Sequence, residues 1–279
     1  MHTSVPPEPY EALLNAAEMA IAEGRFEDAE SVCRAVLASS PRHTEAHYLL
    51  GEALRDQGRL EEAEGAYRFI ALNAVAKPLL LSSAWSGLAA VLTNLLRWEE
   101  ARKAANRALR EAPHNPEAAW VRGVLRERRG DLAGASRDFL RAWRIDPDGY
   151  PLPVPLDDPT VERVVHECLM ELHPTLRAYL SNVAIVLEEV PSDELLRQFD
   201  PPAYPTQLLG FFSGASLMDR SVFDPWSNLP GAIVLFRRNL ERFAHDRQGL
   251  LEELRITLFH EVGHFLGLDE GDLEDRGLD

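Results

Sequence analysis

Cysteine is almost missing from this sequence. Cys33 and Cys168 are the two present, one in each half, which is too few for a disulfide-stapled fold. Both fall at apolar positions of helical patterns, so both read as small buried hydrophobes rather than nucleophiles or ligands. Long hydrophobic runs are missing too. No eighteen consecutive apolar residues occur, which leaves no candidate for a membrane-spanning helix. The start, Met1-His2-Thr3-Ser4-Val5-Pro6-Pro7-Glu8-Pro9, has neither a basic stretch nor an apolar one, so it does not read as a signal peptide. The expected compartment is the cytoplasm, without membrane contact. Lysine occurs only as Lys77 and Lys103, which reflects genomic composition rather than function. Positive charge as a whole is short: 29 Lys and Arg stand against 45 Asp and Glu, a net charge of −16. Most of that deficit lies in residues 151–279, with 23 acids and 10 bases. A surface that acidic repels a phosphate backbone, so nucleic acid is excluded as a partner and a neutral or basic polypeptide fits better.

The chain is 46% apolar and 27% charged, a globular composition, and its 279 residues suffice for two domains. The first half repeats. Gly24-Arg-Phe-Glu-Asp-Ala29, Gly58-Arg-Leu-Glu-Glu-Ala63, Leu96-Arg-Trp-Glu-Glu-Ala101 and Gly130-Asp-Leu-Ala-Gly-Ala135 recur at spacings of 34, 38 and 34 residues. Pro41, Pro113 and Pro147 follow three of the four, with Val75 at the matching place in the second; its extra residues fall around 77–81. Small residues, which let two antiparallel helices approach closely, recur at Ala17, Gly51, Ala89 and Gly123, and aromatic or apolar residues at Cys33, Tyr67, Ala105 and Phe139. This signature resembles the tetratricopeptide repeat. Four helical hairpins are expected, at about 10–43, 44–77, 82–115 and 116–149. Each buries one face only by stacking on the next. The resemblance implies a concave groove that holds a protein partner, whose identity the repeats do not give. A spacer without peptide specificity is the alternative.

Five prolines follow Ile145 in Asp146-Pro-Asp-Gly-Tyr-Pro-Leu-Pro-Val-Pro-Leu-Asp-Asp-Pro159, so this stretch is stiff and extended. The expected division is a repeat domain over 1–150, a linker over 151–157 and a second domain over 158–279. Asp158 is expected to cap a helix that runs to about Leu172, followed by a short helix at Pro174–Leu180. Asn182–Val190, Leu208–Ser213 and Ala232–Phe236 read as strands. Ser213–Pro230 reads as loop, Arg237–Ala244 as a short helix, and a longer helix begins near Gly249.

That last helix carries His260-Glu261-Val262-Gly263-His264-Phe265-Leu266-Gly267-Leu268-Asp269-Glu270. Residues four apart share a helix face, so His260 and His264 can aim two imidazoles at one metal ion. Glu261 stands beside them as a general base for water. Leu251, Leu254, Leu258, Val262 and Phe265 form an apolar stripe off the histidines. The bland alternative is a core helix with two satisfied histidines.

The strands "NVAIVLEEVP" and "LLGFFSG", and "PGAIVLFRRNLERF" just before HEVGHFLGLDE, make residues 158–279 similar to a family of small bacterial zincin-like metallopeptidases. The resemblance implies an α+β domain with a three- to four-stranded sheet on an active-site helix, one Zn²⁺ and a polypeptide substrate. The whole chain is thus expected to be a mainly α, multidomain protein: an α-solenoid followed by that small domain. Catalytic zinc takes three protein ligands. Only nine residues follow Glu270 and no Met follows the motif, so the third ligand is expected close after Gly267. The family's position is Glu270 here, where the family has Asp; Asp269 and Asp272 are the rivals. Ala232–Phe236 is the expected edge strand for the substrate, and Tyr204 and His245 are candidate oxyanion helpers. Two functions remain open: a zinc peptidase with a protein-binding array, and an adaptor whose zincin-like domain binds metal without turning over.

Overall fold

The computed structural model describes residues 10–72, 76–199, 201–216, 218 and 231–274. The chain divides into two compact units, residues 1–150 and 151–279.

The first unit is four helical hairpins: α1 (Glu11–Ala22) with α2 (Phe26–Ser39), α3 (Thr44–Asp56) with α4 (Leu60–Ala71), α5 (Pro78–Asn94) with α6 (Trp98–Glu111), and α7 (Pro116–Arg128) with α8 (Leu132–Ile145). The tight turns need a left-handed residue. Gly24, Gly58 and Gly130 supply it at φ of 74°, 75° and 77°, and Leu96 adopts 57° in the third hairpin. Leu96 accepts that strain while keeping its side chain 8% exposed. Within the hairpins, the small residues let aromatic rings in. A Cβ on Gly51 would come within 2.7 Å of the Tyr67 ring, and one on Gly123 within 2.5 Å of Phe139. The extra residues of the second repeat lengthen α5 to 17 residues, opened by Pro78 in its first turn. Val75 lies outside the described residues.

A polar cluster joins repeats that are not neighbours. Arg55 donates to Glu117 across 2.9 Å, linking the second and fourth hairpins. Ser86 of the third hairpin donates to the same carboxylate at 2.6 Å. Arg55 also holds Glu52, which accepts from the Tyr67 hydroxyl.

The second unit opens with α9 (Asp158–Glu171) and α10 (Pro174–Leu180), then β1 (Ala184–Glu188), α11 (Asp193–Leu196), β2 (Gly210–Ser213), β3 (Ala232–Phe236), α12 (Arg237–Phe243), α13 (Arg247–Leu266) and α14 (Glu270–Glu274). The cap of α9 is Asp157, not Asp158: its side chain accepts from the Thr160 amide at 2.8 Å. A proline in the second helical position leaves Asp158 free to be the first. The proline-rich stretch is bound rather than spanning. The Val154 amide donates to the Glu241 carbonyl at 2.7 Å, and Leu156 to the Glu241 carboxylate at 2.9 Å.

The three strands form one sheet in the order β1-β3-β2, with β1 parallel and β2 antiparallel to β3. The expectation that Ala232–Phe236 is an edge is therefore wrong. It is the central strand, paired on both sides, and it has no free ladder groups for a substrate. Ile233, Leu235 and Phe236 are each 0% exposed, as a continuous apolar run in a covered strand should be. The core beneath the sheet is built from Val161, Val164 and Cys168 of α9, β3, and Leu250, Leu254, Leu258, Val262 and Phe265 of α13. Both cysteines are free thiols and buried. Among the described residues no helix is long and apolar enough to cross a membrane.

Candidate metal centre

Helix α13 positions the centre. Asp246 caps its start by accepting from the Gly249 amide at 2.8 Å. It ends at Gly267, where φ is +92°. The Leu268 amide bonds back to the Gly263 carbonyl at 3.0 Å, closing a left-handed C-cap. A side chain is unwelcome at residue 267 on two counts: the backbone is left-handed, and a Cβ would meet Met218 at 3.0 Å.

With one helix face buried, His260 and His264 stand on another, 22% and 27% exposed. Their Nε2 atoms are 3.0 Å apart. His264 Nδ1 lies 3.2 Å from the Leu268 carbonyl. That oxygen can only accept, so Nδ1 carries the proton and Nε2 keeps its lone pair.

The left-handed turn sends the chain back into α14. Leu273 is 0% exposed and packs where Gly263 has no side chain; a Cβ there would sit 2.3 Å from Leu273 Cδ2. This contact lowers α14 onto the histidines. Glu270 then places Oε2 3.6 Å from His260 Nε2 and Oε1 3.4 Å from His264 Nε2. The rival acids are committed to each other. The Asp272 amide donates to Asp269 Oδ1 at 2.9 Å, and the Asp269 amide faces Asp272 Oδ2 at 3.4 Å. This reciprocal pair is a capping box for α14. Among the described residues His260, His264 and Glu270 form a group of metal-ligand type, with donor atoms within 4.8 Å of one another.

The donors fit a metal ion. Tetrahedral ligands at the distances usual for zinc lie about 3.3 Å apart, and the observed separations of 3.0, 3.4 and 3.6 Å bracket that value. Two neutral imidazoles and a carboxylate are also the donor chemistry that zinc favours.

Glu261 is 5% exposed. Burial pushes its carboxyl up, to about 7, against the opposing pull of His260 and of a hydrogen bond from the Phe212 backbone amide; Glu270 adds to the rise. The Phe212 contact follows from strand register. The Phe236 amide donates to the Leu209 carbonyl at 2.8 Å, so in alternation Phe211 and Ser213 face β3, while Gly210 and Phe212 point to the edge of β2 that has no strand partner among the described residues. Gly210 lets that edge approach: a Cβ there would be 2.7 Å from Thr257 and 3.1 Å from Glu261 Oε1.

Of the two candidate oxyanion helpers, His245 lies away from the histidine pair. His245 precedes α13 and lines a cavity with Phe243, Gly249 and Ile256; about 20 Å of helix separates the start of α13 from His260. Tyr204 closes a turn, its carbonyl accepting from Gln207 and Leu208. Sequence reading missed Gly210, Phe212, Gly263 and Leu273. Gly263 alone left a signal, as a glycine inside a helical pattern.

Comparison with known proteins agrees with this division. Residues 180–278 match the family model of the zincin-like metallopeptidases, and residues 20–71 and 88–150 match two tetratricopeptide-repeat models. The chain is a tetratricopeptide-repeat array followed by a zincin-like metallopeptidase domain. A curated relative is Protein NPGR2 of Arabidopsis thaliana, 30% identical over 166 residues. The match takes in 50% of this chain but only 22% of that relative. Among solved structures, pilF of Pseudomonas aeruginosa is 20% identical with a TM-score of 0.45, covering 50% of this chain and 62% of its own. MamA is 20% identical with a TM-score of 0.39, covering 47% and 74%.

Proposed function

We propose that the chain is a zinc-dependent peptidase with a protein-binding repeat array. The observation that carries this is the convergence of His260, His264 and Glu270 with Glu261 at their side. His260 Nε2, His264 Nε2 and a Glu270 oxygen would hold one zinc ion. Bound there, zinc would supply Lewis acidity and acidify a coordinated water. Glu261 takes a proton from the attacking water on its carboxylate and delivers it to the leaving amine nitrogen. The Phe212 amide keeps that carboxylate in place. The free edge of β2, at Gly210, offers backbone groups to an extended substrate beside Glu261. We place the reaction in the cytoplasm, where Cys33 and Cys168 persist as thiols.

Glu261→Gln tests the reading. It preserves shape and loses the base, so peptide turnover should fall roughly 10²- to 10⁴-fold with bound zinc unchanged. Equal turnover by the variant, or none by the zinc-loaded wild type on any peptide pool, sinks it. The 78% exposure of Glu270 favours a second reading, an adaptor that holds metal without catalysis. On that reading His260→Ala leaves every cellular phenotype intact along with partner binding.

A further inference from the structure

The repeats carry an internal comparison that points to a second site. At the first junction Glu30 is a central acceptor, with a side chain 14% exposed. It receives Arg34 at 2.7 Å from its own helix, and Arg59 at 2.6 Å and Gln57 at 3.1 Å from the next hairpin. Burial opposes the charge, yet these donors hold the carboxyl below its usual range. The second junction repeats the design. Glu64, 13% exposed, receives Arg68 and Arg97, each at 2.6 Å.

The third junction keeps the positions and changes the residues. Arg102 stands where Glu30 and Glu64 stood, Asn106 replaces Arg34 and Arg68, and Asp131 replaces Arg59 and Arg97. The facing helix changes as well. Leu50 and Leu54, and Leu88 and Leu92, are all buried; their counterparts in α7 are Arg122 and Arg126. Asp138, in place of Ala66 and Ala104, is 3% exposed and pins both guanidiniums, at 2.5 Å to Arg122 and 2.9 Å to Arg126. One buried carboxylate thus serves two arginines, and Asp131 lies 3.7 Å from Arg126 Nε. At the rim, Arg102 pairs with Glu99 at 2.6 Å. Arg129 is 62% exposed and lies 3.9 Å from the same Glu99, itself 65% exposed. A cavity of about 370 Å³ opens here, lined by Arg102, Asn106, Arg122, Arg126, Arg129 and Asp131. Residues 97–144 carry twelve bases and seven acids in a chain whose net charge is −16.

We propose that this cavity binds a carboxylate-bearing segment of an acidic protein partner. The first two junctions each place a carboxylate among arginines. The third has four arginines at the cavity, Arg102, Arg122, Arg126 and Arg129, against the carboxylates of Glu99, Asp131 and Asp138, and has none at the position of Glu30 and Glu64. An aspartate or glutamate side chain from outside restores the arrangement. Guanidinium forks match a carboxylate in shape and charge, and Asp138 preorganises two of them before any ligand arrives. The site lies between α6 and α7 and is independent of the metal centre.

The test uses the full chain and a fluorescein-labelled Glu/Gly peptide with amidated C-terminus, beside its Gln/Gly counterpart. Fluorescence anisotropy should show the Glu peptide binding at least about tenfold more tightly, with affinity falling as salt rises. Arg129→Ala, at an exposed position, should weaken it about tenfold. Arg102→Glu puts back an internal carboxylate and should abolish peptide binding while leaving the melting temperature unchanged or raised. Equal binding of the two peptides, no binding by the wild type, or binding that Arg129→Ala leaves intact would overturn the proposal. So would binding of inorganic phosphate without binding of the Glu peptide. If Arg102→Glu does not fold, Arg129→Ala decides.

Discussion

At the scale of single residues, the chemistry depends on what each carboxylate is next to. Glu261 is buried beside a strand, and that burial pushes its carboxyl up, to about 7. Asp269 and Asp272 bond each other's backbone amides, and Glu270 is left to face the histidines. In the repeats, burial pushes Glu52 up to about 7 while Arg55 pulls it down and Glu117 pushes it up. The folded chain therefore holds this proton more tightly than the unfolded chain does. Its contribution to stability is full below the unfolded value of 4.5 and is lost as pH rises to about 7. Glu52→Gln should remove that slope: in urea titrations the variant should be at least as stable as wild type at pH 8 and lose its advantage at pH 5. A wild-type-like pH dependence in the variant contradicts this. The histidine pair and Glu261 were legible because helical spacing alone puts them together. The Phe212 amide was not, because its place is set by the pairing of β2 with β3 and by the packing of β2 against Glu261, 49 positions away in sequence.

At the scale of elements, two helices and one strand make the site. α13 presents the histidines, α14 returns Glu270, and β2 steadies Glu261. The helices were readable from caps and periodicity: α10 and β3 have the expected bounds, and Gly267 ends α13 as its position after the second histidine implied. The order of the strands was not readable. β1 and β3 are parallel neighbours with β2 between them in sequence, and no local pattern records which strand ends up in the middle. The exposed alternation of β1 and the wholly apolar run of β3 are the residues that, weighed together, favour the observed order. The join between α13 and α14 gives a prediction. Alanine is the better helix former by about 1 kcal/mol, so Gly263→Ala should keep α13 helical by circular dichroism. It should also displace Leu273, lift Glu270 and weaken zinc binding at least about tenfold. Gly263→Ala with Leu273→Ala should recover part of the loss. Zinc affinity unchanged in the single variant would show that this packing does not set the ligand.

At the scale of the whole molecule, the chain couples two kinds of order. The repeat unit is a sum of similar hairpins and their junctions, which made its four units legible, together with the recurring small positions; that Tyr67 and Phe139 fill the space at Gly51 and Gly123 is seen only in the structure. What sequence periodicity hid was the departure at the third junction, visible only once the ion pairs of the first two are known. The second unit is a small domain, and a metal ion held as proposed by His260, His264 and Glu270 would add its binding energy to folding. At zinc a thousandfold above its dissociation constant that linkage reaches about 4 kcal/mol. In calorimetry a chelator should therefore lower one unfolding step, that of residues 151–279, and leave the step of the repeats where it was. Both steps moving together, or neither, contradicts this.

The central claim is that His260, His264 and Glu270 together hold a metal ion. Elemental analysis of the chain purified in the presence of zinc tests it most directly, with Glu270→Gln measured alongside. About one zinc per wild-type chain is expected, with a marked loss in the variant at limiting zinc. A wild type that binds no zinc, or a Glu270→Gln variant that retains all of it, contradicts the account.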